Sequence, residues 1–210
     1  MTASSDGQKV IIAGTGPREE KFTVGKDGVL DLVYVVLPGV STDLTISVDI
    51  EGEGAQVDIS GLYVCAHDEK VGINVDLVHK VGHCTSRQLF KGVAGGSAKA
   101  GFYGKIVVAQ DAQKTEAYQE NHNLLVSDGA VVDTKPQLEI YADDVKCSHG
   151  ATIGRLNEEE QFYMRSRGIT ETEARKLQML SFLYPVIDNI KDEVNRNVIS
   201  DLVGEALSKL

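Results

Sequence analysis

Apolar and polar residues alternate with a period of two along the first three quarters of the chain. Between residues 44 and 50 every second position is apolar: Leu44, Ile46, Val48 and Ile50. This is the pattern of a half-buried strand. Four later stretches repeat it, at Val57 and Ile59; at Val71, Ile73, Val75 and Leu77; at Phe102, Ile106 and Val108; and at Leu138 and Ile140. The pattern predicts an all-β region.

Residues that favour turns separate these runs. Two predicted turns are 51–54 and 92–96, which are rich in glycine, and the adjacent Asp143 and Asp144 are predicted to shape a corner. A sandwich and a β-solenoid both use short strands at regular spacing, and the sequence contains no strict repeat. The pattern alone therefore leaves these two folds open.

The composition changes near residue 155. Of 21 glycines, only Gly168 and Gly204 lie beyond position 154. Asn157 is followed by three glutamates, which is typical of a helix N-cap and first turn. The segment 170–173, Thr-Glu-Thr-Glu, predicts a capping box that begins a second helix, and Pro185 suits the first turn of a third.

The predicted helices carry a broad apolar surface. In the second helix one apolar face is expected to comprise Ala174, Leu177 and Leu180. Along the third, two neighbouring stripes are expected, one of Ile187, Ile190, Val194, Val198 and Leu202, the other of Ile199, Val203 and Leu207. Such a surface indicates either a packed helical cap or a face that receives a partner, and both interpretations stay open.

Composition excludes several classes of protein. A chain of 210 residues is long enough for one or two domains. The net charge of −10, without a run of five basic residues, argues against nucleic acid as a partner. No apolar stretch approaches the roughly 20 residues that span a bilayer, and the first ten residues lack the pattern of a secretory signal. We therefore expect a cytoplasmic protein without a membrane partner, with its three cysteines reduced.

Cys147 and His149 are the main candidates for chemistry. They are two residues apart, so in a strand both side chains face the same way. Thiolate and imidazole are ligands for iron–sulfur clusters and for Zn²⁺, although a closed structural zinc site needs four. A buried Cys beside a hydrogen-bonded His is the alternative. Secondary metal candidates are Cys84 and His79, and weaker Cys/His neighbours are Cys65, His67 and His83.

The sequence offers little for catalysis. It contains no G-x-S-x-G elbow, and the glycines of segment 92–96 lack the Lys-Ser/Thr of a phosphate-binding loop. We expect that the chain is not an enzyme and that it binds no nucleotide itself.

Three segments resemble the signature of the SufB/SufD family of iron–sulfur cluster assembly scaffolds. They are residues 123–126, 133–154 and 162–169, and the resemblance extends over about 70–210. The family fold implies a right-handed parallel β-helix over residues 1–154, followed by a small carboxy-terminal α-helical domain over 155–210. This resemblance, not the periodicity, favours the solenoid.

The resemblance also implies a function. Such a scaffold pairs through its β-helix, as a homodimer or with a SufB-like paralogue, and docks a SufC-like ABC ATPase through its last helices. A transient iron–sulfur cluster forms at the interface with sulfur from a cysteine desulfurase system. Cys147 and His149 would be cluster ligands. The residues implied in ATPase docking are Phe162, Tyr163, Arg165, Arg167, Phe182, Tyr184 and Pro185.

Two departures from the family pattern point to the SufD branch. The SufB branch carries Cys where this chain has Asn121, and Glu where it has Gly150. A partner would then supply the missing thiolate. Family members are about twice as long, so the chain is either a minimal version or a fragment. The alternatives are a structural adaptor without its own cluster, or a β-helix enzyme acting on carbohydrate, which 6% aromatic residues and the absence of Trp disfavour.

Overall fold

The computed structural model describes residues 7–210, and in that range eleven strands precede three helices. Expectations that fall on residues 1–6, at the start of the predicted first domain, lie outside the described residues. The strands are β1 (Lys9–Ile12), β2 (Gly16–Val24), β3 (Val29–Val36), β4 (Thr42–Ile50), β5 (Gln56–Cys65), β6 (Lys70–His79), β7 (Thr85–Ala94), β8 (Lys99–Val108), β9 (Glu116–Leu125), β10 (Val131–Ile140) and β11 (Lys146–Gly154). The helices are α1 (Glu158–Ser166), α2 (Glu171–Asp188) and α3 (Glu193–Leu207).

Successive strands alternate between two parallel sheets. Sheet 1 has the order β1-β3-β5-β7-β9-β11, and sheet 2 has the order β10-β8-β6-β4-β2. The chain therefore winds through about five turns of a coil. Residues roughly one turn apart stack on one another, as Gln88 and Gln119 do at a separation of 31. The predicted parallel β-helix is confirmed.

Inward side chains of the two sheets fill the interior in columns. In two columns an aromatic ring is paired with a glycine on the neighbouring strand of the same sheet. A Cβ on Gly61 would lie 2.5 Å from the Phe90 ring, and a Cβ on Gly92 would lie only 1.9 Å from the Tyr63 ring. Strand β7 runs from Thr85 to Ala94 and includes Gly92, so the prediction of a turn over the whole of 92–96 is wrong. The predicted turn at 51–54 and the corner at 143–144 are confirmed.

The outer faces of the two sheets differ. The helices cover sheet 1, where Val33, Val35, Leu62 and Val64 share one hydrophobic cluster with buried residues of α2 and α3. Strands β3 and β5 are buried on both faces, which explains the nearly continuous apolar run of 29–36. Sheet 2 has no helix on its outer face in the described chain, and β4, β6 and β8 keep the strict alternation that the sequence shows.

Two of the three predicted helix starts are confirmed. Asn157 caps α1 by accepting hydrogen bonds from the backbone N–H groups of residues 159 and 160, and Thr170 and Glu173 form the capping box of α2. The prediction for Pro185 is wrong, because α2 continues through it to Asp188. Pro185 lies on the exposed side of α2, where the carbonyl group left without a donor can reach water. The third helix begins after the N-cap Asp192.

The helices use only part of their apolar surface for packing. In α3 the stripe of Ile199, Val203 and Leu207 is buried, whereas Val194 is 70% and Val198 49% exposed. The apolar face expected at 174–180 is divided too, because Ala174 is buried and Leu177 is largely exposed. No helix within residues 7–210 is long and apolar enough to cross a membrane.

Candidate functional site

Strand β11 is the edge of sheet 1 at the carboxy-terminal end of the coil. Its parallel register with β9 places Cys147 beside Ala117, and His149 beside Gln119. Ala117 and Gln119 are fully buried in the interior, so Cys147 and His149 face inward too. We call this end of the coil, formed by β10 and β11, the open end. The spacing of the two residues places them on one face of the strand, as the sequence predicts.

The two candidate ligands differ in exposure. Cys147 is partly buried and packs against the interior hydrophobic cluster, whereas His149 is exposed. Burial raises the pKa of the Cys147 thiol, so it carries its proton at neutral pH. Because a metal takes the thiolate, binding at Cys147 would release that proton.

Beneath His149 the interior is polar. Gln119 donates from Nε2 to Oε1 of Gln88, at 2.9 Å, and both side chains are at most 2% exposed. We call this pair the amide ladder. Neither glutamine was predicted to be a site residue, because strands 31 residues apart become neighbours only in the coil.

A second polar cluster lies further along the same strands. The Tyr63 hydroxyl donates to Asn123 Oδ1 at 2.7 Å, and Asn123 Nδ2 donates to Asn121 Oδ1 at 2.7 Å. Asn121 thus occupies a buried interior position. The sequence of β9 could have indicated this polar interior. Its inward positions are Ala117, Gln119, Asn121 and Asn123, and neither of its two alternating sets of residues is apolar.

Some polar atoms near the open end lack partners. Gln88 Nε2, Gln119 Oε1 and Thr134 Oγ1 are buried, and none has a hydrogen-bond partner among residues 7–210. Nearly all buried polar atoms in folded proteins are paired, so these three are candidates to receive a partner. Unpaired buried atoms also occur elsewhere in the described coil, at His79 Nδ1 and Thr115 Oγ1.

The secondary metal candidates lie in the middle turns, not at the open end. His79 is buried at the end of β6 with Nε2 2.9 Å from Ser86 Oγ, and burial lowers its pKa to about 4, which keeps the ring neutral. Cys84 Sγ lies 3.3 and 3.2 Å from the carbonyl oxygens of Gly52 and Gly82. Local contacts therefore involve His79 Nε2 and Cys84 Sγ, whereas His79 Nδ1 is buried without a partner among residues 7–210.

The remaining Cys/His neighbours occupy corners or the core. Cys65 is buried, which raises its pKa to about 12, and His67 is exposed. His83 has a φ of 57° at an exposed corner between β6 and β7. Over the described residues, no three His, Cys, Asp or Glu side chains are arranged to hold a metal ion. Cys147 and His149 therefore supply at most two donors.

The predicted docking residues are divided between α1 and α2. A groove of about 820 Å³ between α1 and α2 brings Tyr163 and Phe182 together, with Met164 and Leu177 in its lining. Phe162, which is 73% exposed, lies on the other side of α1. Arg165 lies on the same side of α1 as Phe162. The guanidinium carbon of Arg167 lies 5.4 Å from the centre of the Tyr163 ring. Tyr184 and Pro185 are exposed on α2, outside the groove.

A cleft that the sequence did not reveal lies between the α2–α3 loop and the outer face of sheet 1. Lys191 in the loop pairs with Asp31 at 2.6 Å, and Asn189 Nδ2 donates to Ser60 Oγ at 2.8 Å. Arg87 and Tyr118 line the same cleft, whose volume is about 480 Å³. These contacts fix the helical region to the early turns of the coil.

The chain is similar in sequence to known proteins of one family. A family model described as "SUF system FeS cluster assembly, SufBD core domain" matches residues 17–182. The iron–sulfur cluster assembly protein SufD of Escherichia coli (strain K12) is 42% identical over 161 residues, which cover 77% of this chain and 38% of that protein.

Two further relatives extend the likeness. A SufBD family iron–sulfur cluster assembly protein of Synechocystis is 47% identical over 108 residues, covering 51% of this chain and 24% of the relative. A SufBD family protein of Mycobacterium tuberculosis (strain H37Rv) is 32% identical over 175 residues, which cover 80% of this chain and 44% of the relative. The chain thus spans less than half the length of these relatives.

Proposed function

The chain belongs to the SufBD family of iron–sulfur cluster assembly proteins, and we propose that it acts as a SufD-like scaffold subunit whose open end holds part of a transient cluster. The cluster is cargo, built and passed on. The observation that supports this role is the placement of Cys147 and His149 on the inward face of the terminal strand, above buried polar groups without partners.

The small number of donors implies a partner. Clusters of the common types are held by four protein ligands, and Cys147 and His149 supply two. We propose that a SufB-like protein pairs with the open end and completes the set, with sulfur arriving through it from a cysteine desulfurase system. The exposed Ile140, Tyr141 and Ile153 on this end and the free edge of β11 favour such a contact.

The second proposed contact is with a SufC-like ABC ATPase at α1, on both its groove side, where Tyr163 lies, and its other side, where Phe162 lies. The exposed aromatic rings of Phe162 and Tyr163 are of the kind that dominate binding energy at protein interfaces. In this role the ATPase, not this chain, binds the nucleotide.

Anaerobic reconstitution with iron and sulfide, in the presence of a SufB-like protein and a SufC-like ATPase, tests the ligand assignment. We expect His149→Ala and Cys147→Ser each to lower bound iron and the visible absorption by about tenfold or more. His122→Ala is the matched control for the histidine, because His122 lies on neighbouring β9 but faces outward, where Nδ1 is 2.8 Å from Thr152 Oγ1.

The possible outcomes separate two roles. Equal iron retention by His149→Ala and His122→Ala would contradict the ligand assignment. If no mixture forms a cluster while the ATPase still binds, the chain is a structural adaptor.

The docking proposal has its own control on a different helix. Replacing Phe162 and Tyr163 by Ala should weaken ATPase binding by about tenfold or more in a calorimetric titration. Replacing Val194 and Val198 by Ala removes comparably exposed apolar side chains from α3 and should leave the affinity unchanged. A larger loss from the α3 pair would place the ATPase on α3 instead.

A further inference from the structure

The amide ladder lies directly beneath His149, and we propose that Gln119, itself held by Gln88, is a positioning residue that fixes the ring orientation and tautomer of His149. This inference rests on the proposed role of His149 as a cluster ligand. It adds two residues that neither the motif nor the family comparison identifies.

One interior column connects these residues. The strand registers pair Leu32 with Ile59, Ile59 with Gln88, Gln88 with Gln119, and Gln119 with His149. Residues paired in a parallel sheet point to the same face, so His149 is the next side chain above Gln119. The column changes from aliphatic to amide to imidazole toward the open end.

The orientation of the Gln119 amide is determined by its neighbours. Its Nε2 donates to Gln88 Oε1 at 2.9 Å. On the opposite sheet, a Cβ on Gly104 would lie only 2.4 Å from that Nε2, so the amide reaches across the interior into space that a glycine leaves free. With Nε2 directed to Gln88, Oε1 is left buried without a donor among the described residues.

An imidazole N–H is the donor that this oxygen lacks. A histidine that ligates metal through one ring nitrogen usually donates its other N–H to a carbonyl or carboxylate oxygen, which sets the tautomer. His149 is exposed and pairs in register with Gln119, so a turn of its ring toward Gln119 Oε1 is the contact that we propose. That turn would satisfy the buried oxygen and leave the second nitrogen, with its lone pair, free for iron at the open end.

The test is nitrogen NMR of the metal-free full chain with ¹⁵N-labelled histidine. The chain has five histidines, and the signals lost in His149→Ala identify His149. In the wild type we expect one dominant His149 tautomer. Gln119→Leu should change the tautomer ratio by about threefold to tenfold, as expected for the loss of one hydrogen bond. Gln88→Leu should have a smaller effect, because Gln119 keeps its oxygen but loses its orientation.

Two further variants separate positioning from a general disturbance of the interior. Thr42→Val removes a buried hydroxyl from β4, toward the other end of the coil, and should leave the His149 signals unchanged. Gln119→Glu keeps an acceptor oxygen and should restore the wild-type tautomer ratio. If Gln119→Leu folds, by circular dichroism, and the His149 signals match those of the wild type, the inference is overturned.

The metal-free measurement also keeps the two proposals apart. In one outcome, Gln119→Leu changes the His149 tautomer while His149→Ala retains its iron. This outcome would overturn the ligand assignment but not the hydrogen bond between Gln119 and His149. An unchanged tautomer in Gln119→Leu, together with iron lost in His149→Ala, would overturn the positioning role alone.

Discussion

The early and late turns of the β-helix share one backbone arrangement but have different interiors. In the column beneath His149, the early turns contribute Leu32 and Ile59, and the later turns contribute Gln88 and Gln119. All four side chains are at most 2% exposed. Burying an amide without full hydrogen bonding costs free energy that an aliphatic side chain does not. The difference shows that packing alone does not account for the late turns, and it points to function there.

The two ends of the coil differ as well. At the amino-terminal end, polar inward groups satisfy one another: Tyr34 donates to Glu20 at 2.7 Å, and Arg18 Nε donates to the same carboxylate at 2.7 Å. Charged side chains that point inward on a terminal strand oppose the addition of another strand. At the open end, Gln119 Oε1 and Thr134 Oγ1 have no partner among the described residues. Among the described residues, inward polar groups are thus paired at the β2 end and unpaired near the open end.

The largest expected effect is on the early interior. Ile59→Ala should lower the free energy of unfolding by about 2 to 5 kcal/mol, because it leaves a cavity in a fully packed column. Urea denaturation measures this loss. Ile153→Ala is the control at the open end of the same sheet, where the side chain is 44% exposed, and it should cost less than about 1 kcal/mol. Equal losses of stability in Ile59→Ala and Ile153→Ala would contradict the difference in packing between the early interior and the open end.

The next effect depends on pH and on the buried His79. Its pKa falls from 6.5 to about 4 on folding because burial disfavours the charged ring. As the pH falls, His79 in the unfolded chain therefore binds its proton at a higher pH than in the folded chain. The stabilisation that comes from a neutral His79 is complete above pH 6.5 and is lost as the pH falls to 4. Between pH 7 and 4.5 the wild type should lose about 2 to 3 kcal/mol more than His79→Gln, which cannot titrate. Equal losses of stability in the wild type and in His79→Gln would show that folding does not lower the pKa of His79.

A smaller effect is expected where an aromatic ring meets a glycine. Gly92→Ala should destabilise the fold by about 1 to 3 kcal/mol, because the new methyl group would overlap the Tyr63 ring. Gly101→Ala is the matched control on β8, since the nearest atom to its Cβ would lie 4.0 Å away. Thermal unfolding of the two variants compares them, and similar melting temperatures would contradict the column packing.

The smallest effect on stability is expected from the amide ladder itself. Replacing Gln88 and Gln119 together by Leu removes both partners of one hydrogen bond and two unpaired buried atoms. Such paired replacement is nearly neutral or stabilising, within about 1 kcal/mol. A loss as large as that of Ile59→Ala, in the same urea titration, would show that the ladder serves the fold.

Much of the fold was predictable because its signals are local. Strand alternation, the change of composition near residue 155 and the Thr170–Glu173 capping box are all readable within a few residues. The predictions for Pro185 and Gly92 failed because tertiary contacts outweighed local propensity: packing of α2 against sheet 1 carries the helix through Pro185, and the Tyr63 ring requires a glycine inside β7.

The candidate site was only partly predictable. Cys147 and His149 are neighbours in sequence, so their shared face follows from strand geometry. Gln88, Gln119 and His149 are about 30 residues apart, and no local pattern relates them until the register of the coil is known. The division of the α3 apolar surface into a packed and an exposed stripe likewise depends on which side meets sheet 1.

The central claim is that the late interior is polar for function and not for stability. The most direct test measures unfolding free energy and iron retained after reconstitution on the same Gln88→Leu/Gln119→Leu protein. We predict stability within about 1 kcal/mol of the wild type together with about a tenfold loss of iron affinity. Full iron retention, or iron lost only in step with lost stability, would contradict the claim.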